Sequence, residues 1–141
     1  MTTLLLVATM AAMFGGQSGA ESIDGTWPAQ YQGRTFVRLE LRVENGSVAG
    51  GLSIGNIQVD AQGAVSRAAE APEHLTPIFD VATRRPTVTF ACKDGADTDR
   101  FELRLLDGGG AELQFLLSDD DRRALAASGV AVPKPIKLAK Q

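Results

Sequence analysis

The residues with the greatest capacity for chemistry lie in two polar segments, and the first of these is 70–77. This segment contains His74, the only histidine of the 141-residue sequence, directly after Glu73. An imidazole beside a carboxylate can move a proton, although adjacent residues do not have the spacing that chelates a metal ion. Loops on a rigid scaffold often carry function. We therefore treat Glu73, His74, Asn56 and Asp80 as a candidate ligand-binding or partner-binding set.

The second polar segment, 93–100, groups Asp94, Asp97 and Asp99. Oxygen-rich loops bind Ca²⁺, but these aspartates lack the EF-hand spacing and its terminal bidentate glutamate. Aspartate and glycine also form ordinary turns. The segment therefore predicts a turn and no metal site.

No set of residues in the sequence meets the requirements for nucleophilic catalysis. A catalytic thiol needs a histidine beside it, whereas Cys92 and His74 belong to different segments. Ser53 and Ser66 have no nucleophile-elbow motif around them. We predict a protein that is not an enzyme and has no cofactor, and a small hydrolase centred on His74 remains an alternative.

Composition limits the class of partner. The chain has a formal net charge of −3 and a pI near 5.1, with no basic stripe. Nucleic-acid binding requires clustered Lys and Arg, so we expect no nucleic-acid partner. Cys92 is the only cysteine and cannot form an internal disulfide. We expect it to be a small buried structural residue.

The first twenty residues differ from the rest. An apolar run covers Leu4 to Phe14, and the small residues Ser18 and Ala20 follow it. This pattern is typical of a secretory signal peptide over 1–20, cleaved after Ala20. It predicts a secreted or periplasmic protein that has no membrane contact after cleavage. Because no Lys or Arg precedes the run, a retained N-terminal anchor is the alternative.

The pair Asn45-Gly46 is the clearest structural signal in the sequence. It lies between two alternating stretches, and a type I′ turn needs positive φ at both central residues. A two-residue loop fixes the register and places all the apolar partners on one face. The predicted inward pairs are Val43 with Val48, Leu39 with Leu52, and Val37 with Ile54.

Two glycines follow in the second strand of this hairpin. In the predicted register Gly50 faces Leu41 on the inner side and Gly51 faces Glu40 on the outer side. Strand glycines permit the sharp coiling that barrel closure requires. We interpret Gly50 as a structural residue at a bend, and a pocket at Gly50 is the alternative.

Two further hairpins follow from alternating apolar stretches. The first joins Phe101–Leu105 to Leu113–Leu117 about Gly109, and the second spans Ile78–Cys92 with a turn at Arg84-Arg85. The predicted inward pairs are Leu105 with Leu113, Leu103 with Phe115, Phe101 with Leu117, Val81 with Val88, and Phe79 with Phe90.

Shorter elements complete the predicted fold. Strands are expected at 24–31, 57–59 and 64–68, with a bulge or bend at Gly55-Asn56. Ser118 followed by three aspartates predicts a short helix near 119–128. An extended C-terminal tail follows, in which Ile136 and Leu138 can form an edge strand.

These patterns predict one all-β domain over 21–141. About eight short antiparallel strands, each with one apolar face, must bury that face. An up-and-down barrel is the simplest arrangement because consecutive hairpins become neighbours in space. A β-sandwich is the alternative, and we expect a monomer.

The sequence Gly25-Thr26-Trp27, which opens the first strand, resembles the start of lipocalin-like (calycin) barrels. The chain also resembles small secreted bacterial β-domains. The lipocalin resemblance implies that Trp27 is a structural plug at one end of the barrel, and it implies apolar ligand binding or protease inhibition. We therefore expect a binding module for a small apolar ligand or an extracytoplasmic protein. The alternative is an inhibitor of an extracytoplasmic protease that acts through a loop or an arm around Glu21-Ser22.

Overall fold

A computed structural model describes residues 23–141, so the predicted signal peptide and the arm around Glu21-Ser22 lie outside the described residues. Ten strands and one helix follow along the described chain. Their bounds are β1 Gly25–Tyr31, β2 Arg34–Glu44, β3 Ser47–Ile54, β4 Ile57–Val59, β5 Val65–Ala68, β6 Thr76–Arg84, β7 Thr87–Asp94, β8 Asp97–Leu105, β9 Gly110–Phe115, α1 Asp119–Ala127 and β10 Ile136–Ala139.

Eight strands form one antiparallel sheet in the order β1-β2-β3-β6-β7-β8-β9-β10, while β4 pairs with β5 alone. The sheet curls until its two edges meet, where the backbone N–H of Gln141 donates to the carbonyl of Thr26 at 2.9 Å. The structure is therefore an all-β, nearly closed antiparallel barrel with one short helix. The predicted up-and-down arrangement is confirmed, and the sandwich alternative is wrong.

The β2–β3 hairpin has the predicted register at every pair. Asn45 and Gly46 form its turn with φ of 52° and 80°. A Cβ atom at Gly50 would lie against the backbone of Glu40, with the Glu40 carbonyl carbon only 2.9 Å away. The two backbones approach so closely that Gly50 leaves no room for a pocket.

The β8–β9 hairpin is shifted by two residues from the prediction. Leu103 faces Leu113 and Phe101 faces Phe115, because the loop closes earlier, with the N–H of Leu106 donating to the Gly110 carbonyl at 2.8 Å. A shift of two residues leaves every side chain on its predicted face.

The predicted pairing of β6 with β7 is wrong. The turn is formed by Arg85 and Pro86, joined by a cis peptide bond, and a bulge interrupts β6 at Asp80, which has a φ of 51°. The predicted pairs of Phe79 with Phe90 and of Val81 with Val88 therefore do not form.

The new register changes the face of one aromatic residue. Ile78 pairs with Cys92 on the inward face, while Phe79 pairs with Ala91 on the outward face. The Nζ atom of Lys93 lies 5.9 Å from the centre of the outward Phe79 ring. Phe79 is therefore not part of the barrel interior.

Trp27 closes the end of the barrel at which β1 begins. Its side chain is 1% exposed, and its Nε1–H donates to the carbonyl of Ile23 at 3.0 Å. The Nζ atom of Lys140 lies 5.9 Å from the Trp27 ring. The middle of the barrel is filled as well, because the Phe90 and Phe101 rings stack at 5.6 Å. The largest buried side chains besides Trp27 are Phe90, Leu39, Leu41, Leu103, Leu113, Val37 and Val88.

The helix α1 begins as predicted. Ser118 Oγ accepts from the N–H of Asp121 at 3.1 Å, and Asp121 Oδ2 accepts from the N–H of Ser118 at 3.3 Å, which completes a capping box. Gly129, with a φ of 72°, follows the helix. The predicted last edge strand is β10, which pairs with β9. No helix within residues 23–141 has the length and apolar character needed to span a bilayer.

Candidate ligand-binding site

The outer face of β3 carries a row of small residues. Gly51, Ser53 and, just beyond the strand, Gly55 are spaced two apart and therefore point to the same side. The segment 69–76 lies on this row, so closely that a Cβ atom at Gly51 would be 2.8 Å from the Leu75 Cβ. The small residues on this outer face therefore allow a second layer of chain to cover it.

Two hydrogen bonds hold the covering segment in place. Ser53 is 5% exposed, and its hydroxyl donates to the Pro72 carbonyl at 2.6 Å. The N–H of Ala71 donates to the Thr35 carbonyl at 2.9 Å. Because buried polar groups need such partners, these bonds determine where the segment lies. They place His74 at the end of the barrel where β3 finishes.

The chain leaves the main sheet immediately after β3. A bulge or bend was predicted at Gly55-Asn56, and the backbone does change direction there, where it begins the separate β4–β5 pair. The Ala69 N–H donates to the Asn56 carbonyl at 2.8 Å, and a Cβ atom at Gly55 would lie against the Ala69 carbonyl. Only glycine fits this close approach.

The β4–β5 hairpin, residues 57–68, crosses the end of the barrel, and we refer to it as the cap hairpin. Near its middle, Tyr31 Oη donates to the Ser66 carbonyl at 3.0 Å. At its tip, the Lys134 N–H donates to the Gly63 carbonyl at 2.9 Å. The cap hairpin thus reaches from β3, past the end of β1, to the segment before β10, and it covers part of this end.

Beside the cap hairpin, a cavity of about 530 Å³ opens at the uncovered part of the same end. Because β3, β6, β7 and β8 are neighbouring antiparallel strands, the ends of β3 and β7 lie beside the starts of β6 and β8 at this opening. Apolar side chains line the cavity toward the interior, and polar side chains surround its opening. The apolar residues include Leu52, Ile54, Phe101 and Phe115, and the polar ones include Asn56, His74, Cys92, Asp94 and Asp99.

The pleat of β7 and β8 determines which charges face the cavity. Cys92 and Asp99 are cross-strand partners, and both belong to the inward rows. The next residue on each strand is a cation on the outer face. Lys93 Nζ is directed to the Phe79 ring, and Arg100 forms an ion pair with Asp80 at 3.4 Å. The inward face of this corner therefore carries the Asp99 carboxylate and the Cys92 thiol. Arg100 lies outside, whereas Lys93 also contributes to the lining of the cavity, with its Nζ atom at Thr98 Oγ1 and the Phe79 ring.

The local environment disfavours ionisation of both inward groups. Burial is the main cause that raises the Asp99 pKa, and the carboxylates of Asp94, Asp121 and Asp97 raise it further. Burial, followed by Asp99 and Asp94, likewise raises the Cys92 pKa. A thiol whose pKa is raised is a poor nucleophile.

The predicted site residues divide into two groups. Asn56 and His74 line the cavity together with Cys92, whereas Glu73 is exposed beside it and Asp80 lies on the outside of β6. Within residues 23–141 His74 forms no hydrogen bond or ion pair. The geometry therefore assembles neither a Cys–His pair nor a His–acid pair in this conformation.

Asp99 is the cavity residue that our sequence analysis missed. We assigned the whole segment 93–100 to a turn, but β8 begins at Asp97 and only Gly95 and Ala96 separate it from β7. Extending the alternation of Phe101 and Leu103 backwards by two residues would have placed Asp99 on the inward row. The described residues hold no group of three potential metal ligands.

Comparison of the chain with models of protein families, with curated proteins and with solved structures finds no match. Any functional assignment therefore depends on the geometry of this end of the barrel.

Proposed function

We propose that the protein is a secreted, monomeric, non-enzymatic binding module that holds a small, mainly apolar ligand in the open end of its barrel. The observation that carries this proposal is the cavity of about 530 Å³ with an apolar floor. Ligand sites typically have volumes of about 300–1,000 Å³, apolar walls and a few polar groups that orient the ligand.

The two ends of the barrel differ in a way that supports ligand binding. Trp27 fills one end, and the cavity lies at the other. The resemblance of Gly25-Thr26-Trp27 to lipocalin-like barrels implies apolar ligand binding, and this arrangement agrees with it. The apolar run at 4–14 supports secretion.

A fluorescent probe tests whether the cavity binds apolar molecules. The neutral apolar dye N-phenyl-1-naphthylamine should become fluorescent with the wild-type protein. Ile54→Trp should weaken that signal strongly, because Ile54 lines the cavity and an indole there would take space that the dye ring must occupy. Val43→Trp is the matched control, because Val43 lies at the other end of the β2–β3 hairpin, is 37% exposed, and does not line the cavity.

Equal dye binding by the wild type and Ile54→Trp would refute the proposal, as would the absence of binding by the wild type. Mass spectrometry of protein secreted from the full-length sequence tests the location separately. We expect cleavage after Ala20, and an uncleaved N-terminus would contradict secretion through a signal peptide.

A further inference from the structure

The open end of the barrel contains an inward carboxylate, that of Asp99, for which the described residues provide no partner. Asp99 lies two residues before the buried Phe101 on the inward row of β8. Within residues 23–141 its carboxylate forms no ion pair and no hydrogen bond. A partly buried carboxylate without a partner loses part of its hydration, so its position beside the aromatic residues Phe101 and Phe115 in the cavity requires an explanation.

The charges around Asp99 do not neutralise it. Asp94 lines the same cavity, and the carboxylates of Asp97 and Asp121 are close enough to act on Asp99 electrostatically. Arg100 pairs with Asp80 on the outer face, and Lys93, which also lines the cavity, directs its Nζ atom to Thr98 Oγ1 and the Phe79 ring. Two carboxylates, Asp94 and Asp99, thus line the cavity with one lysine, and the charges that act on Asp99 are all carboxylates. A bound cation would relieve their repulsion.

The floor below Asp99 is suited to the same kind of ligand. The Phe101 and Phe115 rings lie 5.1 Å apart with an angle of 50° between their planes, and both line the cavity. Aromatic faces attract organic cations and also contact alkyl chains. A metal ion would use only the carboxylates, whereas an amphiphilic organic cation would use the carboxylate and the apolar floor together.

We infer that the ligand of this cavity is an amphiphilic organic cation, whose ammonium group contacts Asp99 while its apolar part lies against Phe101 and Phe115. This inference rests on the proposed function, because it specifies the chemical class of the ligand for the same cavity. His74 and Asn56 line the same cavity.

The test compares two probes that share an apolar chain and differ in charge. Displacement of N-phenyl-1-naphthylamine by octyltrimethylammonium and by octanol gives the affinity of each. We expect the cation to bind up to about fivefold more tightly than the alcohol, the factor for one ion-pair contact at a partly exposed site. Asp99→Asn should remove this preference and leave octanol binding unchanged.

Asp80→Asn is the matched control, because Asp80 is an exposed carboxylate that pairs with Arg100 outside the cavity. It should preserve the preference for the cation. Equal affinities of the two probes for the wild type would overturn the inference and leave the proposed function intact. A preference that survives Asp99→Asn would overturn the role of Asp99. Failure of the dye and of both probes to bind would overturn the inference together with the proposed function.

Discussion

Replacing Gly50 by alanine tests how closely β3 approaches β2. A Cβ atom at this position would meet the carbonyl of Glu40, with its carbon at 2.9 Å, and the Cα of Leu41 at 3.1 Å. Ordinary contacts between carbon atoms are about 3.5–4.0 Å, so the strands must separate locally by about 0.5 Å or more. All of these atoms are backbone, and no side chain can rotate away to make room.

The cost of Gly50→Ala follows from that displacement. A ladder hydrogen bond lengthened by about 0.5 Å passes the upper limit of about 3.2 Å. Losing two such bonds costs about 1–3 kcal/mol, and the reduced chain entropy of alanine in the unfolded state offsets about 0.4–1 kcal/mol. Residual overlap adds to the cost. We expect a loss of about 2–3 kcal/mol, with a fall in Tm on the order of 10 °C.

Chemical denaturation followed by circular dichroism measures this loss, and Gly110→Ala serves as the control. Gly110 also lies in a strand, but a Cβ atom there would be 3.6 Å from the Leu138 carbonyl oxygen, an ordinary contact. We expect Gly110→Ala to be neutral or slightly stabilising. Equal stability of the Gly50→Ala variant and the wild type would refute the inference that β2 and β3 are held at this separation.

Two further predictions follow from the raised pKa values in the cavity. Because the Asp99 pKa is raised on folding, the ionised carboxylate destabilises the fold at neutral pH. Asp99→Asn should therefore increase the free energy of unfolding at neutral pH. The gain should disappear as the pH falls below about 3.9, the pKa of aspartate in the unfolded chain. A gain that is the same at every pH would show that the carboxylate charge is not its cause. The Cys92 thiol, whose pKa is raised by burial and by Asp99, should react slowly with iodoacetamide at pH 7.5. Bound octyltrimethylammonium should slow this reaction further. Rapid alkylation that the probe does not affect would show that Cys92 does not line the ligand site.

Asp99→Asn should have opposite effects on stability and on ligand preference, and this combination distinguishes a functional carboxylate from a structural one. We expect the substitution to stabilise the fold while removing the preference for a cation. Residues that bind ligands often carry such a stability cost. An aspartate that served only the fold would show the reverse, a loss of stability on substitution.

Local patterns were sufficient for the parts of the fold that depend on neighbours in sequence. Asn45-Gly46 predicted the β2–β3 hairpin with its register, because one turn type and one apolar face agree there. Ser118 and the aspartates after it predicted α1, because capping involves residues within one turn. Where the turn residues did not indicate one turn type, the predicted register was wrong. The β8–β9 loop closed two residues early, and the bulge at Asp80 changed the face of Phe79.

The site depended on contacts between distant parts of the chain. Gly51, Ser53 and Gly55 form a visible row of small residues, but nothing in the sequence near them shows that segment 69–76 covers that row. Two of the four candidate site residues, Asn56 and His74, reach the cavity because the covering segment and the cap hairpin place them there.

The sequence by itself determined an alternating, single-domain β fold, its clearest hairpin and its capped helix, because each of these arises from periodicity and turn chemistry over a few residues. Only the tertiary structure decided that Asp99 and Cys92 face a cavity while Arg100 pairs with Asp80 on the outside. The closure of the sheet and the path of segment 69–76 create that cavity, and both depend on packing between residues that are far apart in sequence.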